Sequence, residues 1–215
     1  MTLGAGYRYL MSSVARADEA TQASGLTVYY AAHGTPPGWF LGAGLAGLAH
    51  GEGVTPGSPV SEEQLWRMLG MLQDPLTGEP LGRPPTGAGM VFVDHRGRVR
   101  KARQSVAGFD LTFSVPKSVS VAWALADQDT RERIQAAHRR ALCSVIEYGE
   151  AQVFATRTGH AGAVSEDVRG VVATAFDHWD SRAGDPQLHT HVVVLNRALS
   201  VVDWQWRTLD SKALF

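Results

Sequence analysis

With 215 residues, 44% of them apolar, the chain has enough material for one domain with a sizeable core or for two small ones, which excludes wholesale disorder. Twenty basic residues against 21 acidic ones leave a net charge of −1, so the global basic excess usual in nucleic-acid-binding domains is missing. The single Cys143 excludes an internal disulfide framework and a cysteine-rich zinc module, and no run of about 18 apolar residues offers a membrane span. The first residues, MTLGAGYRYLM, lack a basic stretch followed by an apolar one, so the expected setting is cytoplasmic and reducing.

Residues 1–60 are rich in Gly, Ala and Tyr, and TPPG at 35–38 marks a turn. A helix is expected to start at Ser61. Ser61 and Gln64 fit a capping box, Glu62 and Glu63 suit the positive end of the helix dipole, and Leu65, Leu69 and Leu72 form one apolar stripe. Prolines and glycines crowd residues 73–90, which read as an extended surface loop. Residues 91–103 (VFVDHRGRVRKAR) fit a short hairpin with a basic second arm.

FDLTF at 109–113 alternates, with Phe109, Leu111 and Phe113 on one side and Asp110 and Thr112 on the other. Ser114 is placed to cap the helix that follows, and Pro116 suits its first turn. Residues 129–148 read as a second helix burying Ile134, Ala137, Ala141, Leu142 and Val145. Strand-like runs follow at 152–157, 171–178, 188–196 and 201–209. Helices mixed with hairpin-linked strands predict an α+β fold, an antiparallel sheet with helices packed on one face. Gly42 to Gly47 matches G-x-G-x-x-G, but TPPGWFL is a poor buried strand and no βαβ unit surrounds it, so a dinucleotide fold is not expected.

The most informative stretch is FDHWDSRAGDPQLHTHVVVLN, residues 176–196. On a strand, His189 and His191 point to the same face. His178 ends the preceding strand run, on the face of Val172, Thr174 and Phe176, and the intervening loop folds one run back on the other. Three neutral imidazoles meeting there make a divalent-metal site with open positions, able to act on a phosphoryl or carbonyl oxygen as a Lewis acid. Solvated edge-strand histidines give the same spacing. Asp110 leaves the apolar face of its own strand. There it can orient a ligand histidine through the second ring nitrogen, take a proton, or simply be solvated.

These residues resemble the relaxase domain of the TrwC/TraI-type (MobF) group of HUH endonucleases from conjugative plasmids. HWDSRAGDPQLHTHVVVLN is similar to the family's histidine block, and FDLTFSVPKSVSVAWAL to its D-L-T-F-S-x-P-K-S-V-S block. YRYL and LTVYYA, followed by GWFLGAGLAGL, resemble its two tyrosine pairs and the W-x-G-x-G segment after them. The resemblance implies a palm-like HUH fold and site-specific nicking of one strand at an origin of transfer, single-stranded or hairpin DNA being the substrate. In that chemistry a tyrosine attacks the phosphodiester to give a 5′-phosphotyrosine and a free 3′-OH, keeping the bond energy for rejoining. The resemblance also implies relaxosome and type IV secretion coupling proteins as partners. It makes His178, His189 and His191 the ligands of a divalent ion, Mg or Mn in the cell with Zn or Ni able to substitute in a crystal, and Asp110 the proton acceptor or histidine orienter. The first tyrosine pair is split here as Tyr7-Arg8-Tyr9, which puts Tyr9 first and Tyr7 second as nucleophile. Tyr29 or Tyr30 would serve a second transfer.

Against the family pattern, only MTLGAG precedes the first tyrosine, and the chain stops at Phe215, before the helices that close over DNA. The expectation is therefore one relaxase domain over 1–215, truncated at its C-terminus, with the family's first strand either missing or very short, and without the P-loop of a helicase region. For DNA contacts, Arg96, Arg98, Arg100, Lys101 and Arg103 form the densest basic run, Lys117 follows the strand carrying Asp110, and Arg182 lies in the loop between the histidines. Two competing classes remain: a truncated, catalytically impaired single-stranded DNA-binding module, and a histidine–metal hydrolase that uses water.

Overall fold

Long β-branched runs carry the histidine segments, and they form the two longest strands of the fold. The computed structural model describes residues 1–8, 37–84, 91–93, 95–101, 105–159, 163–181 and 183–214. In chain order the elements are β1 (Trp39–Leu41), α1 (Glu62–Leu65), β2 (Val91–Val93), β3 (Val99–Lys101), β4 (Gly108–Ser114), α2 (Lys117–Leu125), α3 (Gln128–Gln152), β5 (Ala155–Thr158), β6 (Val164–Asp180), β7 (Pro186–Ser200), β8 (Trp206–Arg207) and α4 (Ser211–Leu214). The main sheet is antiparallel, in the order β1-β6-β7-β4, with β5 added to β6 and β8 to β7, while β2 and β3 form a separate hairpin. The fold is thus α+β, as expected.

The pleat gives the sheet two apolar faces, because β6 and β7 are buried along most of their length. On one face Ala173, Ala175, Val192 and Val194 pack under Leu142 and Ile146 of α3. On the other, Val172, Phe176, Val193 and Leu195 pack against Phe40, Leu45, Leu65, Met68 and Leu69. The two long helices accordingly share one face, and short helical turns around residues 43–70 cover the other. Trp123 of α2 stacks on Trp179 at 5.2 Å between centroids, closing a third, smaller apolar cluster beyond the histidine end of β6.

Several local expectations hold. Ser61 caps α1 in a complete capping box with Gln64. The helix continues as a π-helical turn over Trp66–Gly70, and Leu65, Leu69 and Leu72 are all buried. The glycines of the G-x-G-x-x-G segment serve close packing. A Cβ on Gly44 would sit 2.8 Å from the Gly170 carbonyl oxygen, and Gly170, at φ +148, meets Gly44 N in return.

Others are corrected. Ser114 does not cap α2: Pro116 occupies the N-cap and no side chain caps it, because Ser114 is still paired in β4 opposite His189. In α3 the buried stripe is Leu142, Ile146 and Gly149, with Ile134 half-buried, while Ala137, Ala141 and Val145 face out. Alanines fit either face, so they did not define the stripe. Within 73–84 the surface loop folds inward: Asp74 and Leu81 are buried, and the Asp74 carboxylate accepts from Ala49 N, Leu76 N and Thr77 N. The run 152–157 is split, since Gln152 ends α3 and the strand begins at Ala155. Of 201–209 only Trp206–Arg207 is strand.

Candidate metal centre

The register of β6 against β7 brings the histidines together. His178 lies opposite His189 and Phe176 opposite His191, so the three imidazoles share one face at the same end of the hairpin. Their ring centroids are 5.1, 5.0 and 5.3 Å apart, close to an equilateral triangle. One nitrogen from each ring lies within 4.8 Å of the others. Donors about 2.1 Å from one tetrahedral ion sit roughly 3.5 Å apart, so small ring rotations close this set around it.

The hydrogen bonds set which nitrogens are offered. His189 Nδ1 is 2.8 Å from the Gln187 carbonyl oxygen, which can only accept, so that nitrogen carries the proton and Nε2 is left as donor to an ion. β4 supplies the same service to His191. Its register pairs Asp110 with Val193 and Thr112 with His191, so Asp110 shares the histidine face. The Asp110 carboxylate lies 3.0 and 3.1 Å from His191 Nδ1, and Thr112 Oγ1 lies 3.3 Å from it. Of the roles considered for Asp110, the geometry matches the orienting one. Carboxylate–histidine pairs of this kind fix the tautomer and raise the basicity of the ligating nitrogen. His178 is buried and His189 and His191 are half-buried, so the face is partly open. Three neutral imidazoles, two with the outer nitrogen already engaged, fit a borderline divalent ion with coordination positions left over.

Sequence reasoning missed what lies behind this triad. Between the two histidine pairs sits the register pair Asp177–Thr190, whose side chains point to the opposite face. Thr190 Oγ1 donates to Asp177 Oδ1 at 2.7 Å, Arg139 of α3 donates to Asp177 Oδ2 at 2.6 and 3.2 Å, and His138 Nε2 lies 3.0 Å from Thr190 Oγ1. Burial holds the His138 pKa below the usual histidine value. The available signal was the alternation itself, which puts two polar residues on a face that a helix covers.

Lys117, at the start of α2, is ion-paired to Asp185 and donates to the Pro186 carbonyl oxygen at 2.7 Å, and Ser181 Oγ also donates to Asp185. Lys117 thus ties its helix to the loop between the histidines. Arg96 and Arg98 are exposed at the tip of the β2–β3 hairpin. Arg100 and Lys101 lie in β3, opposite Phe92 and Val91. Tyr7 is 2% exposed within the apolar cluster that contains Phe176. Tyr9, Tyr29, Tyr30, Arg103 and Arg182 lie outside the described residues. Among the described residues no helix is long and apolar enough to cross a membrane.

Known proteins resemble this chain in sequence or in fold. Multifunctional conjugation protein TraI of Escherichia coli is 35% identical over 150 residues, covering 69% of this chain, and TraI of strain K12 is 35% identical over 151 residues. The conjugative relaxase TrwC in complex with oriT DNA, in its metal-bound form, matches with a TM-score of 0.66 at 27% identity over 100% of this chain. TrwC complexed with a 27-mer DNA comprising the recognition hairpin and the cleavage site matches with a TM-score of 0.64 at 27% identity over 99% of this chain. The chain spans 8% of the length of the TraI proteins and 61% and 59% of the two TrwC chains. A family model described as TrwC relaxase matches residues 3–215, and the chain therefore belongs to the TrwC relaxase family.

Proposed function

We propose that this domain nicks one DNA strand at an origin of transfer and holds the cut end covalently, with a divalent ion at His178, His189 and His191. The observation that carries the reading is the triad: three imidazoles on one face, two of them held by outer hydrogen bonds that leave Nε2 to a metal. Bound there, the ion would neutralise charge on the non-bridging oxygens of a phosphodiester. Asp110 keeps His191 turned toward that ion.

Tyr9 is the proposed nucleophile, with Tyr29 or Tyr30 serving a second transfer. Tyr7 is the weaker choice of the first pair because its ring is enclosed in the core. A phenol ionises near pH 10 and needs an acceptor for its proton at neutral pH. The O–P bond formed replaces the bond to the 3′-oxygen, which leaves as a free 3′-OH. The basic run Arg96, Arg98, Arg100, Lys101 and Arg103, whose first four residues lie in the β2–β3 hairpin, is the proposed phosphate-contacting arm. Arg182 is proposed to meet the strand near the scissile bond, and Lys117 to fix the loop beside it. The proposed setting is the cytoplasm, where relaxosome and secretion-coupling proteins would be its partners.

The test is covalent trapping. The protein is incubated with a randomised single-stranded DNA pool and Mn²⁺, denatured in SDS, and adducts are recovered and sequenced. An enriched sequence joined through its 5′-phosphate is expected, with the adduct absent in Tyr9→Phe and in His189→Ala. Cleavage without an adduct would establish the water-using hydrolase instead. Enrichment by binding with no cleavage would establish the DNA-binding module.

A further inference from the structure

We propose that Asp177, Thr190 and Arg139, with His138 behind them, form a clasp on the helix-covered face of the sheet that holds the strand ends bearing the histidine triad in register. The proposal builds on the reading of the triad as a metal site, but its structural half can be tested without metal.

The argument starts from the ladder. Three consecutive pairs of β6 and β7 are Phe176–His191, Asp177–Thr190 and His178–His189. The outer two pairs place the histidines on one face, and the middle pair projects to the other. Immediately beyond His178 the register shifts before Asp180 meets Pro186, so regular pairing ends at the triad itself. Strand ends next to a bulge are where pairing loosens, and a slip of one residue turns every side chain to the other face. Such a slip would replace the histidines by Thr190 and Asp177.

The middle pair opposes that slip. Asp177 is 5% exposed and Thr190 is fully buried, so their hydrogen bond is made away from water, where breaking it leaves both groups unsatisfied. Arg139 adds two charge-assisted bonds to the other carboxylate oxygen and is itself held against the ring of Trp39, 5.5 Å from its centroid. His138 Nε2 donates to the same Thr190 hydroxyl oxygen whose hydrogen goes to Asp177. Helix α3 therefore grips both histidine strands at the pair between the ligands. Asp177 and Thr190 project to the face opposite the triad, so the role assigned to the clasp is positioning.

The experiment compares Thr190→Val, which keeps the shape and loses the hydroxyl, with Thr190→Ser, which keeps the hydroxyl, and adds Arg139→Ala. Two quantities are read: amide hydrogen exchange at His178, His189 and His191 in the metal-free protein, and the Kd for Zn²⁺ by calorimetry. Thr190→Val and Arg139→Ala are expected to speed exchange at those three amides and to weaken Zn²⁺ about tenfold. Thr190→Ser is expected to restore both to near wild type, and exchange in the distant β5–β6 pairing is expected to stay unchanged. Unchanged exchange at the three histidine amides in Thr190→Val overturns the clasp whatever the metal does. Faster exchange in Thr190→Val and Arg139→Ala, together with a wild type that binds no Zn²⁺, sustains the clasp and refutes the metal reading instead.

Discussion

Asp110→Asn isolates the contribution of the carboxylate to the metal site. The wild-type pair has both carboxylate oxygens within 3.1 Å of His191 Nδ1, and the two side chains are only 22% and 19% exposed, so the contact is largely shielded from solvent. Asparagine keeps the size and one acceptor oxygen but removes the negative charge, and its amide can turn a donor toward the imidazole. The ligating Nε2 becomes less basic and the tautomer is no longer enforced. Losses at such orienting partners run at about 10–100-fold in metal affinity, or roughly 1.4–2.7 kcal/mol. Calorimetric titration of Zn²⁺ or Mn²⁺ into wild type and Asp110→Asn reads this directly, with the melting temperature of the metal-free proteins as control. Affinity within twofold of wild type would refute the assignment of Asp110 as the residue that orients His191. A collapse of the metal-free melting temperature would mean the carboxylate serves the fold instead.

Three further outcomes follow from the packing. Ile146→Ala should destabilise by about 2–4 kcal/mol in urea unfolding, while Val145→Ala, 49% exposed, should stay within roughly 0.5 kcal/mol; equal losses would restore the α3 stripe read from the sequence. Arg197→Met should cost about 3 kcal/mol, because the buried guanidinium donates to the Leu81, Arg83 and Asn196 carbonyls and to Thr208 Oγ1, and these lose their donors together. Glu150 has its pKa raised by burial, partly offset by the Val171 and Ala43 amides that it accepts from. The native state then binds the proton more tightly than the unfolded state, so this group favours folding most below its unfolded pKa, and the advantage is lost as pH rises through the folded value. Glu150→Gln keeps an acceptor for both amides without the charge, so its melting temperature relative to wild type should rise between pH 4 and pH 8; a falling difference would contradict this reading.

What the sequence revealed and what it hid follow from range. The triad was legible because it depends on period two and one hairpin: His-x-His fixes the face, and a short connection returns His178 to the same end of the ladder. Asp110 was legible as a residue leaving an apolar face. Its partner among the three histidines was not, since that depends on the β4–β7 register between residues 81 positions apart. The α3 stripe was misread because alanine carries almost no burial preference at a helix–sheet contact, and the same pattern carries no signal for His138 and Arg139, whose partners lie on the strands beneath. The clasp joins a helix to two strands through polar atoms, and apolar periodicity is silent on such contacts. Lys117 shows the same limit, because an exposed lysine beside a strand end says nothing of an Asp185 that the fold brings to it.

The net charge of −1 looked like evidence against a nucleic-acid partner, and the distribution of cations shows why it carries little weight. Arg67, Lys117, Arg133, Arg139, Arg157 and Arg207 each pair with a carboxylate of the fold, so these charges cancel locally and contribute little field at a distance. The run 96–103 concentrates five cations within eight residues of sequence, four of them in the β2–β3 hairpin. At physiological ionic strength charges are screened over about 8 Å, so acidic residues elsewhere on the molecule do not neutralise that arm as a polyanion would meet it. A whole-chain sum adds charges that no ligand feels together. For a domain built this way, the local density of charge on one arm is the quantity that bears on DNA, and here that density is high while the sum is near zero.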